Sequence, residues 1–123
     1  MERSPCVAII DDEESIRRAL LRIFRQTDIA AKAYDSAMAF LDSMNASPPD
    51  CIILDLKMPG MTGFGLLREL EQYDAPPPVI VLSALDDQRT REACEAFGSR
   101  YVLRKPVDQR TLMDCVRRVL TES

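Results

Sequence analysis

The sequence predicts an α/β fold in which a doubly wound, five-stranded parallel sheet is covered by five helices. Short apolar runs alternate five times with amphipathic stretches along the 123 residues, as in a chain of repeated strand–helix units. Several runs are rich in β-branched residues and show no polar alternation, which indicates parallel strands buried on both faces. The length is that of about one domain, so we expect residues 1–123 to form a single domain.

The first two strand–helix units are predicted in the N-terminal third of the chain. The run CVAII, residues 6–10, is the first strand, and apolar residues at helical spacing predict a helix over 14–26. The alternation in AAKAY, residues 30–34, indicates a weaker strand at a sheet edge. Ser36 is positioned to cap a short helix that carries Phe40, Leu41 and Met44.

The third unit contains the most apolar strand, CIIL, residues 51–54, which leads directly into Asp55. A turn at Pro59-Gly60 follows the strand. Thr62 can then cap a helix whose inward residues are Phe64, Leu66, Leu67 and Leu70.

The last two units complete the alternation. VIVLS, residues 79–83, is the fourth strand. The stretch DDQRTREACEAFG predicts a helix that Gly98 closes and whose apolar stripe is thin, consisting of Ala93, Ala96 and Phe97. YVLR, residues 101–104, is the fifth strand, and Asp108 can cap a final helix that bears Leu112, Cys115, Val116 and Val119.

Composition excludes several classes of protein. The net charge of −4 and the lack of a basic run argue against direct nucleic-acid binding, and no apolar run is long enough to cross a membrane. No signal peptide is visible, so we expect a cytoplasmic protein with its four widely spaced cysteines reduced in the core. The chain has no histidine, which removes the usual general base and zinc ligand.

Polar side chains follow the predicted strands at the edge where ligands bind in such folds. Right-handed crossovers place all the strand C-termini at one edge, and the flavodoxin-like order 2-1-3-4-5 places strands 1 and 3 side by side. The residues that leave the strands there are Asp11 and Asp12, Asp55, Ser83 and Ala84, and Lys105 and Pro106. Loop aspartates can also simply cap helices and face water, which is the alternative for Asp11 and Asp12.

Three carboxylates at one edge need a cation. Two carboxylates about 4 Å apart repel by about 4 kcal/mol at an effective dielectric constant of about 20. Lys105 supplies one positive charge, and all-oxygen ligation suits Mg²⁺ better than zinc. Such a site favours phosphoryl transfer, in which Asp55, the acid that stands alone, is the better nucleophile and the paired acids hold metal.

These residues resemble the receiver domain of bacterial two-component response regulators over essentially the whole chain. The motifs that carry the resemblance are IIDDEE, ILDLKMPGMTG, VIVLSA and LRKP, and two longer stretches are most similar to the branch with helix-turn-helix DNA-binding output domains. The resemblance implies a signalling switch rather than a turnover enzyme. A sensor histidine kinase would phosphorylate Asp55, which is expected to be exposed at the sheet edge to meet the phosphohistidine.

The resemblance also implies a role for each matching residue. Asp12 and Asp55 would hold Mg²⁺, with Asp11 acting mainly through bound water and the backbone carbonyl of Lys57 completing the shell. The Lys105 ammonium and the Ser83 hydroxyl would bind phosphoryl oxygens. The small Ala84 would leave access to the pocket, and the Lys105-Pro106 peptide would be cis.

One position departs from the family pattern. Receivers usually carry an aromatic residue three positions before the lysine, where this chain has Val102, whereas Tyr101 is predicted to point to the other face of the strand. Tyr101 is either an exposed side chain without a role or part of a partner surface. Lys57 is likewise either solvated or close enough to the pocket to tune the lifetime of the phosphoryl group.

The implied output is a change in the surface formed by the fourth helix, the fifth strand and the fifth helix, with homodimerisation there on phosphorylation. Three alternatives differ in kind. A flavin carrier would need a glycine-rich loop where this chain has DDEES, and an aspartate phosphatase would need an acid at Lys57. A binding module that never accepts phosphate remains an alternative. The chain is either a stand-alone receiver or part of a longer DNA-binding regulator.

Overall fold

The computed structural model describes residues 4–57, 62–84 and 88–122. Its five strands form one parallel sheet with the order β2-β1-β3-β4-β5. The strands are β1 (Cys6–Ile10), β2 (Ala30–Tyr34), β3 (Cys51–Asp55), β4 (Val79–Ser83) and β5 (Tyr101–Arg104). The predicted flavodoxin-like order is therefore confirmed, with β1 and β3 adjacent. The predicted turn at Pro59-Gly60 and the Asp86-Asp87 start of the fourth helix lie outside the described residues.

Helices follow each strand, as predicted. They are α1 (Glu14–Arg25), α2 (Ala37–Met44), α3 (Gly63–Leu70), α4 (Gln88–Ala96) and α5 (Gln109–Thr121). The three predicted side-chain caps are all present, because Ser36, Thr62 and Asp108 accept hydrogen bonds from the backbone N–H groups of Ala39, Gly65 and Thr111. None of the helices in the described residues is long and apolar enough to span a bilayer.

Two apolar layers cover the sheet, and the alternation of side chains along each strand decides which layer a residue joins. In β3, Ile52 and Leu54 pack with α2, α3 and α4, whereas Cys51 and Ile53 pack with α1 and α5. All five residues of β3 and of β4 are buried, whereas β2 is only partly covered. The prediction of β2 as an edge strand is confirmed by the strand order.

The predicted apolar stripe of α4 is wrong in part. Cys94 is the buried residue of this helix, Ala93 is half-buried, and Ala96 is exposed. Two residues along a helix correspond to a rotation of about 200°, so Ala96 faces away from the sheet when Cys94 faces it. A thiol packs as a small apolar group, which is why Cys94 fills this position.

The cysteines are free thiols, as predicted, but only two of the four are fully in the core. Cys51 and Cys94 are buried, and Cys6 and Cys115 are half-buried. Burial raises the pKa of the Cys51 thiol to about 12, so that thiol stays protonated at neutral pH.

Candidate functional site

Backbone pairing at the C-terminal edge of the sheet brings residues from three strands together. β3 and β4 are in register through Asp55 and Leu82, and the Leu56 N–H donates to the Leu82 carbonyl at 3.1 Å. Beyond the end of β5, the Lys105 N–H donates to the Ser83 carbonyl at 2.8 Å. The ladder therefore fixes Lys105 beside Ser83 and aligns both with the end of β3.

Three carboxylates form a compact cluster at this edge. Asp11, Asp12 and Asp55 each offer one oxygen, and these oxygens lie within 4.8 Å of one another. The Lys105 ammonium lies 3.3 Å from Asp11 Oδ2 and 3.1 Å from Asp55 Oδ1, so it bridges two of the acids. Asp11 is 1% exposed and Asp55 is 5% exposed, while Asp12 faces solvent.

Asp11 is held by hydrogen bonds at every polar atom. Its N–H donates to the Tyr34 carbonyl at 3.1 Å, and its Oδ1 accepts from the Glu13 N–H at 2.9 Å. Its Oδ2 accepts from Lys105, and its carbonyl accepts from Arg17 Nη1 at 2.9 Å. The Oδ1 contact is a local turn bond within the loop and not a helix cap, because the N-cap residue of α1 is Glu13 and no side chain caps this helix. The second carboxylate oxygen of Asp11 belongs to the cluster.

The sequence reasoning missed Arg17. Helical periodicity places this residue on the polar side of α1, where an arginine is expected to point into solvent. Its position one turn after Glu13, at the start of the helix, was the available signal, because a long side chain there can reach back over the preceding loop.

The pKa values of the central acid and base follow from this geometry. Burial raises the pKa of Asp55, and the nearby Asp11 charge raises it further, against the opposing effects of Lys105 and of the Lys57 backbone N–H. Burial alone would lower the pKa of Lys105, but its contacts with Asp55 and Asp11 outweigh burial and raise it. Lys105 therefore stays charged at neutral pH.

The expectation that Asp55 is exposed is wrong. Asp55 is the last residue of a central strand whose five residues are all buried. The Lys105 ammonium lies 3.1 Å from Asp55 Oδ1, and the Lys57 N–H also lowers the pKa of this carboxyl. These groups replace water around the Asp55 carboxylate, so the acid lies below the protein surface at this edge of the sheet.

The remaining predicted residues surround the cluster at different depths. Ser83 is buried beside Lys105, whereas Ala84 and Lys57 are exposed. Val102 packs in the layer with α2, α3 and α4, and Tyr101 packs on the opposite layer, as the alternation predicted. Tyr101 is half-buried, so the interpretation of an exposed tyrosine is wrong. The Lys105-Pro106 peptide is cis.

The donor set fits a hard divalent cation. All three clustered residues supply carboxylate oxygens, which Mg²⁺ prefers. Both Asp11 oxygens already accept hydrogen bonds, from Glu13 and Lys105, and Asp55 Oδ1 contacts Lys105. The Asp12 carboxylate accepts none among the described residues, so Asp12 is the acid best able to bind a metal directly.

Comparison with known proteins agrees with this architecture. The transcriptional regulatory protein FixJ of Azorhizobium caulinodans is 32% identical over 123 residues, which is all of this chain and 58% of FixJ. The DNA-binding transcriptional regulator NtrC of Klebsiella pneumoniae is 32% identical over 100 residues, or 81% of this chain and 21% of NtrC. The chain thus spans about half of FixJ and a smaller part of NtrC.

Solved structures and family models point the same way. The response regulator receiver protein of Burkholderia phymatum superposes with a TM-score of 0.84 at 40% identity, covering 96% of each chain. The sequence model of the response regulator receiver domain family matches residues 7–117 of this chain. These matches include both strands that carry the clustered acids and the strand that leads to Lys105. The chain belongs to the response regulator receiver domain family of two-component signalling.

Proposed function

We propose that this receiver domain is a phosphorylation-dependent switch in which Asp55 accepts a phosphoryl group from a sensor histidine kinase in the presence of Mg²⁺. The observation that carries the proposal is the cluster of Asp11, Asp12 and Asp55, with its oxygens within 4.8 Å of one another and Lys105 bridging two of them. Residues 1–123 would act as one domain that assists its own phosphorylation and dephosphorylation without being a turnover enzyme.

Asp12, Asp55 and the Lys57 carbonyl would hold the metal, with Asp11 contributing through water. Bound Mg²⁺ would neutralise charge on the transferring group and on the acids. An Asp55 oxygen attacks phosphorus, so that an O–P bond forms while the N–P bond of the phosphohistidine breaks and its nitrogen leaves with the electron pair. The Lys105 ammonium and the Ser83 hydroxyl would then bind phosphoryl oxygens.

The signal would leave through α4, β5 and α5. Phosphorylation adds a charge of about −1.5 to −2, which would draw Ser83 and Lys105 inward and pull on β4 and β5. Arg91 Nη1 on α4 donates to the Val102 carbonyl at 3.3 Å, so a movement of β5 would reach α4. Arg89, Arg91, Tyr101 and Arg104 lie on or beside this surface, and homodimerisation there would control an output.

The process that this domain controls is proposed from its relatives. FixJ and NtrC are named as transcriptional regulators, so control of transcription through a DNA-binding domain is the expected output. The net charge of −4 supports a role in which this chain contacts partner proteins rather than nucleic acid or membrane. A cytoplasmic location is part of the same proposal.

The direct test is incubation with acetyl phosphate and Mg²⁺ followed by intact-mass measurement. We expect one phosphoryl adduct on the wild-type chain and none on Asp55→Asn. Asp42→Asn, an exposed position on α2, is the matched control and should be modified like wild type. Oligomeric state measured by light scattering on the same samples tests the dimer.

Two results would contradict the proposal. The first is the absence of an adduct on the wild-type chain, which favours a binding module that works only through protein contacts. The second is an adduct on Asp55→Asn equal to that on wild type, which moves the acceptor to another residue.

A further inference from the structure

Arg17 makes an unusual contact for a residue on the polar side of a helix. It is half-buried, and its Nη1 donates to the backbone carbonyl of Asp11 at 2.9 Å. Its neighbour Arg18 instead pairs with Glu14 at 3.4 Å, with both side chains largely in water. The two arginines are adjacent and carry the same charge, but only Arg17 contacts the loop that bears the acids.

The carbonyl that Arg17 binds belongs to the peptide bond between Asp11 and Asp12. A peptide unit is planar, so a hydrogen bond to its oxygen restricts rotation of the whole unit, including the Asp12 N and Cα atoms from which the Asp12 side chain starts. Asp12 is the exposed acid of the cluster, and among the described residues its carboxylate has no hydrogen-bond or ion-pair partner of its own. Two contacts thus flank this acid: the Asp11 Oδ1 bond from the Glu13 N–H spans Asp12 within the loop, and the Arg17 contact holds the preceding peptide oxygen from α1.

The guanidinium is directed at a neutral oxygen rather than at a carboxylate. Within the described residues Arg17 forms no ion pair, whereas Lys105 contacts two acids directly. Neutralising the acids is thus the role of Lys105. A planar guanidinium on a carbonyl restricts geometry rather than neutralising charge.

We infer that Arg17 is a positioning residue for metal binding: it holds the Asp11–Asp12 peptide so that Asp12 presents its carboxylate to the cation. This inference rests on the proposed Mg²⁺-dependent function. It predicts the direction in which the Kd for Mg²⁺ changes when Arg17 is replaced. Loss of positioning weakens Mg²⁺ binding, whereas mere loss of a nearby positive charge strengthens it.

The test is titration calorimetry with MgCl₂ at fixed ionic strength, a method that suits a chain without tryptophan. Arg17→Met keeps the apolar stem and removes both the charge and the donor, and we expect its Kd for Mg²⁺ to be about tenfold weaker than that of wild type. Arg17→Lys keeps the charge with a shorter donor and should fall between the two. Arg18→Met is the matched control, with the same charge change and no contact with the loop.

A second readout separates positioning from general damage to the fold. At saturating Mg²⁺ the rate of phosphorylation by acetyl phosphate should return close to the wild-type rate, because Arg17 does not contact the reacting atoms. Thermal unfolding in EDTA establishes that each variant is folded. Should Arg17→Met unfold, the Kd of Arg17→Lys decides: a weaker value supports the inference and an unchanged value overturns it.

The remaining outcomes are equally decisive. A Kd for Arg17→Met that equals or is tighter than that of Arg18→Met overturns the positioning role and leaves the proposed function intact. If the wild-type chain binds no Mg²⁺, the proposed function and this inference are both wrong.

Discussion

Asp55 shows how the chemistry of a single residue depends on its neighbours. The side chain is an ordinary carboxylate in the sequence, but in the fold it is 5% exposed and held between Lys105 and the Lys57 N–H. Burial raises its pKa above the ordinary value of 3.8, so the folded state binds this proton more tightly than the unfolded state does. The ionised acid that the proposed function requires is therefore destabilising in the absence of metal.

We expect Asp55→Asn to be more stable than wild type at pH 7 in EDTA, by on the order of 1 kcal/mol, because the substitution removes the cost of burying an ionised carboxylate and also removes repulsion from Asp11. The stability that a protonated Asp55 contributes is full below pH 3.8 and is lost as pH rises through the raised pKa of the folded state. The advantage of Asp55→Asn should therefore shrink as pH falls toward 4. Urea denaturation across this pH range measures it.

Asp42→Asn on the exposed face of α2 is the control and should show a small, nearly constant difference. A wild-type chain as stable as Asp55→Asn at every pH would show that Lys105 fully compensates the buried charge.

At the scale of elements, α3 is packed directly on the strand that ends in Asp55. A methyl group added at Gly63 would lie 2.7 Å from Leu56 Cα and 2.9 Å from the Asp55 carbonyl oxygen, both of which are backbone atoms. The Gly63 N–H also donates to the Leu56 carbonyl at 3.0 Å. The position of β3 and the start of α3 are therefore mutually fixed.

We expect Gly63→Ala to lose about 2 kcal/mol of unfolding free energy, even though alanine is the better helix former, because backbone cannot move aside as a flexible side chain can. Chemical denaturation measures the loss. Arg68→Ala, an exposed position on the same helix, should change stability by less than about 0.5 kcal/mol. Equal stabilities of these two variants would show that the backbone at Asp55 and Leu56 moves aside at no cost in free energy.

The helix α4 has the fewest buried side chains of the five helices in the described part of the chain. Cys94 is its one fully buried residue among those described, whereas α5 buries Leu112, Met113, Val116 and Val119. Burial of fewer apolar side chains lowers the free energy of local opening. This difference favours α4 as the helix that moves on phosphorylation.

Amide hydrogen exchange tests this order of stability in the unphosphorylated protein. We expect backbone amides near the C-terminal end of α4 to exchange at least about tenfold faster than those at matching positions near the C-terminal end of α5. Helical propensity differs little between the two segments, so the difference in their amide exchange rates reports on packing. Equal protection of the two helices would contradict the assignment of α4 as the mobile element.

At the scale of the whole molecule, metal binding and folding are linked through the acid cluster. Any ligand that binds the folded chain alone stabilises it by an amount set by its concentration relative to Kd. At a Mg²⁺ concentration ten times Kd, we expect a gain of about 1.4 kcal/mol and a higher midpoint of thermal unfolding. The gain should be lost in Asp12→Asn and kept in Asp42→Asn, and an equal gain in both variants would place the metal elsewhere.

The type and order of the elements could be predicted because they depend on local patterns. Apolar periodicity located every strand and helix, and the side chains of Ser36, Thr62 and Asp108 marked three helix starts because a cap acts on N–H groups only three residues away. The residues of α4 that face the sheet were less predictable, since alanine and cysteine are both small enough to lie on either the buried or the exposed side of a helix.

The sequence by itself determined the five strand–helix units and the identity of the residues that leave each strand, because these follow from short-range patterning, and the handedness of crossovers places those residues at one edge. The strand order came from the known flavodoxin-like fold class rather than from the pattern itself. Only the tertiary structure decided how those residues act on one another. Lys105 reaches Asp11 across 94 positions of sequence, Asp55 is buried where it was expected to be exposed, and Arg17 turns back to the loop before its own helix. Distances, solvent exposure and pKa values depend on these contacts between residues that no local pattern connects.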